Sequence, residues 1–110
     1  MSDQKSISLV ITGKVHGVGY RYSVKLKAES LAIRGYVRSQ LDGSVFVTAQ
    51  GETTAVENFV EWCYKGPPTA FVRGIEMTPG SIEDFCEFSI LYKPLQTLRD
   101  SAWGFERQVK

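Results

Sequence analysis

The stretch SISLVITGKVHGVGYR, from Ser6 to Arg21, contains a strand pattern, a glycine-rich bend and the start of a helix. Apolar and polar residues alternate from Ser6 to Thr12, which predicts a β-strand with one buried face. Three glycines follow, and glycine permits backbone conformations that other residues adopt only under strain. Helical spacing then begins, with apolar residues at Tyr20, Val24, Ala28 and Leu31. The stretch therefore predicts a strand that enters a helix through a tight, glycine-rich loop.

The rest of the sequence predicts the strands and helices that follow this first strand and helix. Gly35 is predicted to end the first helix, YVRSQL to form a second strand, and Asp42-Gly43 to make a hairpin turn into the strand SVFVTA. A second helix follows Gly51 and ends at KGPP, and AFVRGIEM and CEFSILY supply two more strands. The order β-α-β-β-α-β plus one strand predicts an α+β, ferredoxin-like split βαβ sandwich. Its two helices would pack on one face of a mostly antiparallel sheet of four to five strands.

Length and composition limit the number of domains and the classes of partner that can be expected. A chain of 110 residues forms one domain, which we assign to residues 1–92, with 93–110 as a C-terminal extension packed on it. The chain has thirteen basic and twelve acidic residues, so its net charge is near zero. This balance gives no indication of binding to nucleic acid or to an anionic membrane. The absence of a transmembrane-length apolar run and of a signal-peptide pattern predicts a cytoplasmic protein. Cys63 and Cys86 lack metal-ligand spacing and are interpreted as reduced core residues, and with His16 as the single histidine no metal site is expected.

The large apolar residues fall into two groups. Those within the predicted domain are interpreted as core aromatics, namely Tyr20, Tyr36, Phe46, Phe59, Trp62 and Phe88. The extension carries others at partly helical spacing, namely Leu95, Leu98, Ala102, Trp103 and Phe105. They either pack on the surface of their own domain or form a dimer contact. We favour the first interpretation and a monomer, because chain termini are often loosely attached.

The glycine-rich bend, residues 13–19 (the glycine loop), has two interpretations. Backbone N–H groups converge in such a bend, and the helix that follows adds its own N–H groups and dipole, so the bend can cradle an anion. Arg21 in the first helical turn would add a planar set of donors that matches phosphate oxygens. Alternatively, the bend is only a tight turn and Arg21 a surface residue. The loop lacks the Gly-Lys-Ser/Thr of a P-loop and the spacing of a dinucleotide-binding motif.

Three blocks of the chain resemble one protein family. GKVHGVGYR resembles the signature G-x-V-x-G-V-x-[FY]-R of the acylphosphatases. LAIRGYVRSQLDGSVFVTAQG is similar to the family's second block, G-x-V-R-N-x-x-D-G-x-V with a later glycine, and WCYKGPPTAFV to its third, G-P-x-x-A-x-V after a helix. The blocks occur in the family's order and span residues 7–92. The family has the ferredoxin-like fold predicted above.

The resemblance implies hydrolysis of an acyl phosphate, a small carboxyl-phosphate anhydride, to a carboxylate and phosphate without a metal ion or cofactor. Arg21 and backbone N–H groups of the glycine loop would bind the phosphate. The implied phosphate-binding residues are Val15, His16, Gly17, Val18, Gly19, Tyr20 and Arg21. The family's other catalytic residue, an asparagine that holds the attacking water, corresponds to Ser39 in this chain.

Ser39 changes what can be expected of the site. The hydroxyl oxygen of serine lies one bond closer to the backbone than the amide oxygen and nitrogen of asparagine, so Ser39 would hold the water farther from phosphorus unless a second water bridges the gap. A misplacement of about 1 Å can lower a rate by roughly a hundredfold. The amide of Gln40 would point to the opposite face of the strand unless a bulge rotates it inward.

Three functions are therefore compared. The first is an acylphosphatase slowed by Ser39, and the second is a catalytically impaired domain that binds phosphate or another small anion. The third is an RNA-binding sheet, because RGYVRS begins like an RNA-recognition signature; it departs from that signature at Val37 and Arg38, and the net charge is near zero. His16 beside a phosphate could act as a general acid, but we interpret it instead as a residue that braces the loop or faces solvent. We favour the enzyme.

Overall fold

In the computed structural model, which describes residues 3–15 and 19–95, strands and helices follow the predicted order. They are β1 (Gln4–Lys14), α1 (Tyr20–Ser30), β2 (Arg34–Gln40), β3 (Val45–Glu52), α2 (Thr53–Lys65), β4 (Phe71–Pro79) and β5 (Phe88–Leu95). The sheet order is β4-β1-β3-β2-β5. Every neighbouring pair is antiparallel except β2 and β5. This arrangement confirms the α+β, ferredoxin-like prediction with a fifth strand at one edge.

The hydrophobic core lies between the sheet and the two helices. Alternate residues of the central strands point toward the helices, and Leu9, Ile11 and Val47 have no exposed surface. The helices contribute Val24 and Phe59, which are equally buried. Burial of a large apolar side chain is worth roughly 1.5–3 kcal/mol, so this layer is the main source of stability. Both helices therefore pack on one face, as predicted.

The end of α1 differs from the prediction. The helix ends at Ser30, and Ala32 adopts a left-handed conformation with φ 57°. The N–H groups of Leu31 and Ala32 donate to the last helical carbonyls, which completes the helix terminus without glycine. Gly35 was wrongly predicted to end the helix, since it lies inside β2, opposite Ala49.

Three of the six predicted core aromatics are buried in the helix-facing layer, and three are not. Trp62 is half-buried at the edge of that layer. Tyr36 and Phe46 are half-buried on the opposite face of the sheet, where the Arg38 guanidinium lies 4.6 Å from the centroid of the Phe46 ring. Cys86 is exposed, so its prediction as a core residue is wrong, whereas Cys63 is buried as predicted. The three buried aromatics are Tyr20, Phe59 and Phe88.

The connection from β4 to β5, residues 80–87, crosses the face of the sheet opposite the helices. It contacts successive strands: the Gly80 N–H donates to the Ser6 carbonyl, and the Gln50 amide exchanges two hydrogen bonds of 2.8 Å with the backbone of Glu83. The ring of Phe85 then packs edge-on against Tyr36. This connection covers the end of the sheet at which β1 begins. The other end, where β1 and β2 finish, is here called the loop end.

β5 continues to Leu95, so the first residues of the predicted extension belong to the sheet. Residues 96–110 lie outside the described part of the chain, and with them most of the predicted extension and its alternative dimer contact. No helix among the described residues is long and apolar enough to cross a membrane.

Candidate active site

The strand order brings the ends of β1 and β2 to the loop end of the sheet. Both strands run antiparallel to β3, which lies between them and places Val45 opposite Ile11 on one side and opposite Ser39 on the other. Ser39 therefore lies two strand spacings from β1, about 9.5 Å away. The glycine loop leaves β1 at this same end. Residues that are far apart in the sequence thus lie at the same end of the sheet, two strands apart.

Gly13 is the residue at which β1 turns away from regular pairing into the loop. The register between β1 and β4 shifts between Thr12 and Gly13, and the φ angle of Gly13 is 131°. A Cβ atom at this position would lie 2.1 Å from the carbonyl oxygen of Phe71 and 2.6 Å from the backbone nitrogen of Arg73. Glycine is required here both by the dihedral angle and by the close approach of β4.

The start of α1 is anchored to α2. Gly19 precedes the helix with φ 75° and ψ 15°, and its carbonyl accepts the Ser23 N–H at 3.0 Å. Tyr20 is 1% exposed, its hydroxyl donates to the Cys63 carbonyl at 3.0 Å, and its ring stacks on Trp62. Burial raises the pKa of the Tyr20 hydroxyl far above its ordinary value, which keeps this donor protonated. The first turn of the helix therefore has a fixed position.

The predicted phosphate-binding residues are partly described. Val15, which follows β1 directly, is buried in the core, and Gly19 is exposed. Arg21 is half-buried in the first turn of α1, directly after the anchored Tyr20. The predicted residues His16, Gly17 and Val18 lie outside the described part of the chain. The described residues at both ends of the glycine loop are held by β1 and by α1.

Ser39 points to the helix side of the sheet, as Val37 does, because the pairing of β2 with β3 is regular up to this residue. Its side chain is 8% exposed, and its Oγ atom has no hydrogen-bond partner among the described residues. Buried hydroxyl groups normally have such a partner, either in the protein or in an ordered water molecule. A buried hydroxyl at the loop end is therefore suited to hold water or a ligand oxygen.

Gln40 does not take the place of Ser39. Its Nε2 donates to Ser44 Oγ at 2.9 Å, and that hydroxyl donates to Asp42 Oδ1 at 2.6 Å. The pairing of β2 with β5 is irregular, but Arg38 pairs with Leu91 and Gln40 with Leu95, so the extra residues lie in β5. The alternation of β2 is unbroken, and the amide of Gln40 is used within the hairpin turn. The bulge that would have turned Gln40 inward is absent from this described strand.

A polar cleft of about 500 Å³ opens at the loop end beside the end of β1. It is bounded by the β2–β3 turn on one side and by β4 on the other. The residues that line it are Thr12, Gly13, Lys14, Asp42, Gly43, Ser44 and Arg73. Hydrogen bonds from Ser44 lower the pKa of Asp42, which therefore stays ionised in neutral solution. No group of three or more His, Cys, Asp and Glu side chains suited to a metal ion occurs in residues 3–15 and 19–95.

Known proteins share both the sequence and the fold of this chain. The family model for acylphosphatases matches residues 7–90. An acylphosphatase of Acaryochloris marina is 46% identical over 85 residues, which are 77% of this chain and 91% of that protein. An acylphosphatase of Archaeoglobus fulgidus is 37% identical over 87 residues, which are 79% of this chain and 98% of that protein.

Solved structures agree with this similarity. The structure of an acylphosphatase from Coxiella burnetii has a TM-score of 0.78 and 34% identity, and the match covers 81% of this chain and 94% of that one. The acylphosphatase from Bacillus subtilis gives a TM-score of 0.78 at 34% identity over 82% of this chain and all of that one. These relatives are named as enzymes, which supports hydrolysis over the anion-binding alternative. This chain belongs to the acylphosphatase family.

Proposed function

We propose that this chain hydrolyses acyl phosphates at the loop end of the sheet, with Arg21 binding the phosphate and Ser39 positioning the water. The observation that carries the proposal is the buried Ser39 hydroxyl without a protein partner among the described residues, at the same end of the sheet as the glycine loop. A hydroxyl in this setting has its hydrogen-bonding capacity available for a water molecule.

Phosphate binding is assigned to the glycine loop and to Arg21. The proposed donors are the backbone N–H groups from Val15 to Tyr20, including those of His16, Gly17, Val18 and Gly19, together with the Arg21 guanidinium. These groups would surround the equatorial oxygens of the transferring phosphoryl group, where negative charge is concentrated in the transition state. Because β1 and the anchored helix hold the residues at both ends of the loop, the donors at these ends would need little reorganisation when the charge develops. His16 is assigned a bracing role in the loop.

The reaction is a displacement at phosphorus. The oxygen of the attacking water bonds to phosphorus while the bond from phosphorus to the acyl oxygen breaks, and its electron pair leaves on the carboxylate. One proton of the water stays on the phosphate and the other passes to the phosphate or to solvent, so that a carboxylate and inorganic phosphate are the products. Ser39 Oγ would accept a hydrogen bond from the water and hold it on one side of the phosphoryl group. No covalent bond to the protein forms or breaks in this step.

Hydrolysis of benzoyl phosphate in the presence of a chelator tests the proposal. We expect turnover in the native chain and a fall in kcat/KM of roughly a hundredfold or more in Arg21→Ala, the size typical for loss of one transition-state donor. Arg34→Ala is the matched control, because Arg34 begins β2 at the opposite end of the sheet. Circular dichroism would show that both variants are folded. Undiminished turnover in Arg21→Ala would refute the assignment of the phosphate site.

We also propose that the protein acts in the cytoplasm as a monomer, with residues 93–110 packed on their own domain. Both cysteines are free thiols, which is the usual state in a reducing compartment. Cell fractionation and sedimentation of the full chain would test these two points. Recovery from an oxidising compartment, or a dimer at micromolar concentration, would contradict them.

A further inference from the structure

We infer that Lys14 and Arg73 form a subsite for the acyl group, which selects acyl phosphates whose acyl group carries a second anionic group. The inference rests on the proposed function, because it concerns the leaving side of the same reaction. The cleft at the loop end supplies the space, and its two cations supply the charge. The substrate class is therefore the monoacyl phosphate of a dicarboxylic acid or of another acid with a distal anion.

The direction of the reaction places the acyl group on this side. In phosphoryl transfer the attacking and leaving oxygens lie roughly in line through phosphorus. Ser39 would hold the water on the side of β2, so the leaving carboxylate emerges on the opposite side. In the strand order, the direction from β2 across β3 leads to β1 and then to β4. Lys14 lies at the end of β1 and Arg73 on β4, which is the side toward which the acyl group would point.

The charges of the cleft favour an anion. Lys14 and Arg73 have neither an ion pair nor a hydrogen bond of their side chains among the described residues. Among the described residues that line the cleft, Asp42 alone is acidic, and its Oδ1 accepts the N–H and the hydroxyl of Ser44 at 2.9 and 2.6 Å. Oδ1 of Asp42 is thus engaged within the hairpin turn, and the two cations outnumber this one ionised carboxylate among the described residues of the lining. An acyl group with a distal carboxylate complements this arrangement better than an apolar one of equal size.

A matched pair of substrates tests the subsite. 4-Carboxybenzoyl phosphate and 4-methylbenzoyl phosphate have similar size and differ in charge, and neither can cyclise. We expect the ratio of their kcat/KM values to fall roughly two- to fivefold in Arg73→Gln and in Lys14→Gln, and by about tenfold in the double variant, as for exposed charge pairs. Comparison of the ratio between variants removes the intrinsic difference in reactivity. Lys5→Gln is the control, because Lys5 carries the same charge at the other end of β1.

A binding experiment separates this inference from the proposed function. ¹⁵N-labelled protein would be titrated with 4-carboxybenzylphosphonate and with 4-methylbenzylphosphonate, neither of which can be hydrolysed. We expect the amide signals of Gly43 and Gly74 to shift further with the carboxylate compound, and this difference to disappear in the double variant. Gly43 lines the cleft, and Gly74 lies on β4 directly after Arg73.

Each outcome has one meaning. Turnover of both substrates with a ratio that neither variant changes overturns the subsite and leaves the hydrolase in place. Absence of turnover with a carboxylate-dependent shift in the cleft retains the subsite and rejects the hydrolase. If neither turnover nor a selective shift is found, both proposals are wrong. An equal change of the ratio in Lys5→Gln would show that the overall charge of the protein causes the effect, and it would also overturn the subsite.

Discussion

At the scale of single residues, the central feature is a buried hydroxyl for which the described part of the chain supplies no hydrogen-bond partner. Ser39 Oγ has no hydrogen bond among the described residues, whereas the neighbouring amide of Gln40 is bound within the turn at 2.9 Å from Ser44. A buried polar group without a partner is costly, and its retention at the loop end is explained if it contacts water or substrate. The side chain is short, so the reach of this hydroxyl limits how well a water can be aimed at phosphorus.

We predict that Ser39→Asn raises kcat by roughly tenfold or more, because a longer amide recovers part of the loss that a displacement of about 1 Å causes. KM should change little, since the phosphate-binding groups are untouched. Steady-state kinetics with benzoyl phosphate would measure both constants. Ser39→Ala is the companion variant: it should lower kcat without loss of stability, because no described hydrogen bond is broken. Equal kcat values in all three proteins would show that Ser39 does not position the water.

At the scale of elements, the glycine loop depends on how β1 is attached to β4. The irregular pairing at Gly13 lets the backbone of β4 approach within the space that a side chain would occupy. On the far side of the loop, the hydrogen bond from Tyr20 to the Cys63 carbonyl fixes the start of α1. The two ends of the loop are therefore fixed, one by the sheet and one by the helical layer. The position of Arg21 is set by the helical end, because Arg21 follows the anchored Tyr20.

We predict that Gly13→Ala destabilises the protein by roughly 2–4 kcal/mol, in the range of backbone strain combined with steric overlap. The new Cβ would lie 2.1 Å from the Phe71 carbonyl oxygen, a contact that only a shift of backbone can relieve. Gly74→Ala is the control in the facing strand, because its φ is ordinary and its nearest contact would be Thr12 Oγ1 at 3.5 Å. Urea unfolding would give the free energies of both variants. Similar losses in the two would contradict the special role of Gly13.

At the scale of the whole molecule, the alternation of strands and helices could be predicted because the hydrophobic period changes sharply at Tyr20 and again after Gly51. The end of α1 could not, since Ala32 adopts a left-handed conformation that its residue type does not signal. The partial exposure of Tyr36 also escaped prediction, because period-two alternation does not tell which face the helices cover.

For the candidate site, the sequence identified residues but not how the fold arranges them. Arg21 was identified from its position after the glycine loop. That β1 and β2 end at the same edge of the sheet follows from strand order and not from sequence spacing. The engagement of Gln40 in the turn depends on Ser44, a contact that no periodic pattern contains. The cleft that holds Lys14 joins three separate segments, so it becomes visible only in the folded chain.

The packing of the helical layer leads to a prediction about alkaline solution. Burial raises the pKa of the Cys63 thiol from 9.0 to about 12, and it raises the pKa of the Tyr20 hydroxyl as well. In the unfolded chain these groups lose their protons near their ordinary pKa values, while the folded protein retains them. The unfolded state therefore binds fewer protons above pH 9, and the free energy of unfolding falls as the pH rises toward 12, by up to about 1.4 kcal/mol per pH unit for each group.

Urea unfolding at intervals between pH 8 and pH 11 would measure this decline. We predict that Cys63→Ala lowers stability at every pH, because it leaves a small cavity, but makes the decline above pH 9 less steep, because one buried proton-retaining group is gone. Cys86→Ala is the matched control, since that thiol is exposed and should leave the slope of the native protein unchanged. If the slopes of Cys63→Ala and Cys86→Ala coincide, the alkaline decline comes from other groups. A slope that remains steep only in proteins with an intact Cys63 would instead identify the helical layer, and not the exposed loop end, as the part of the molecule that limits its stability at high pH.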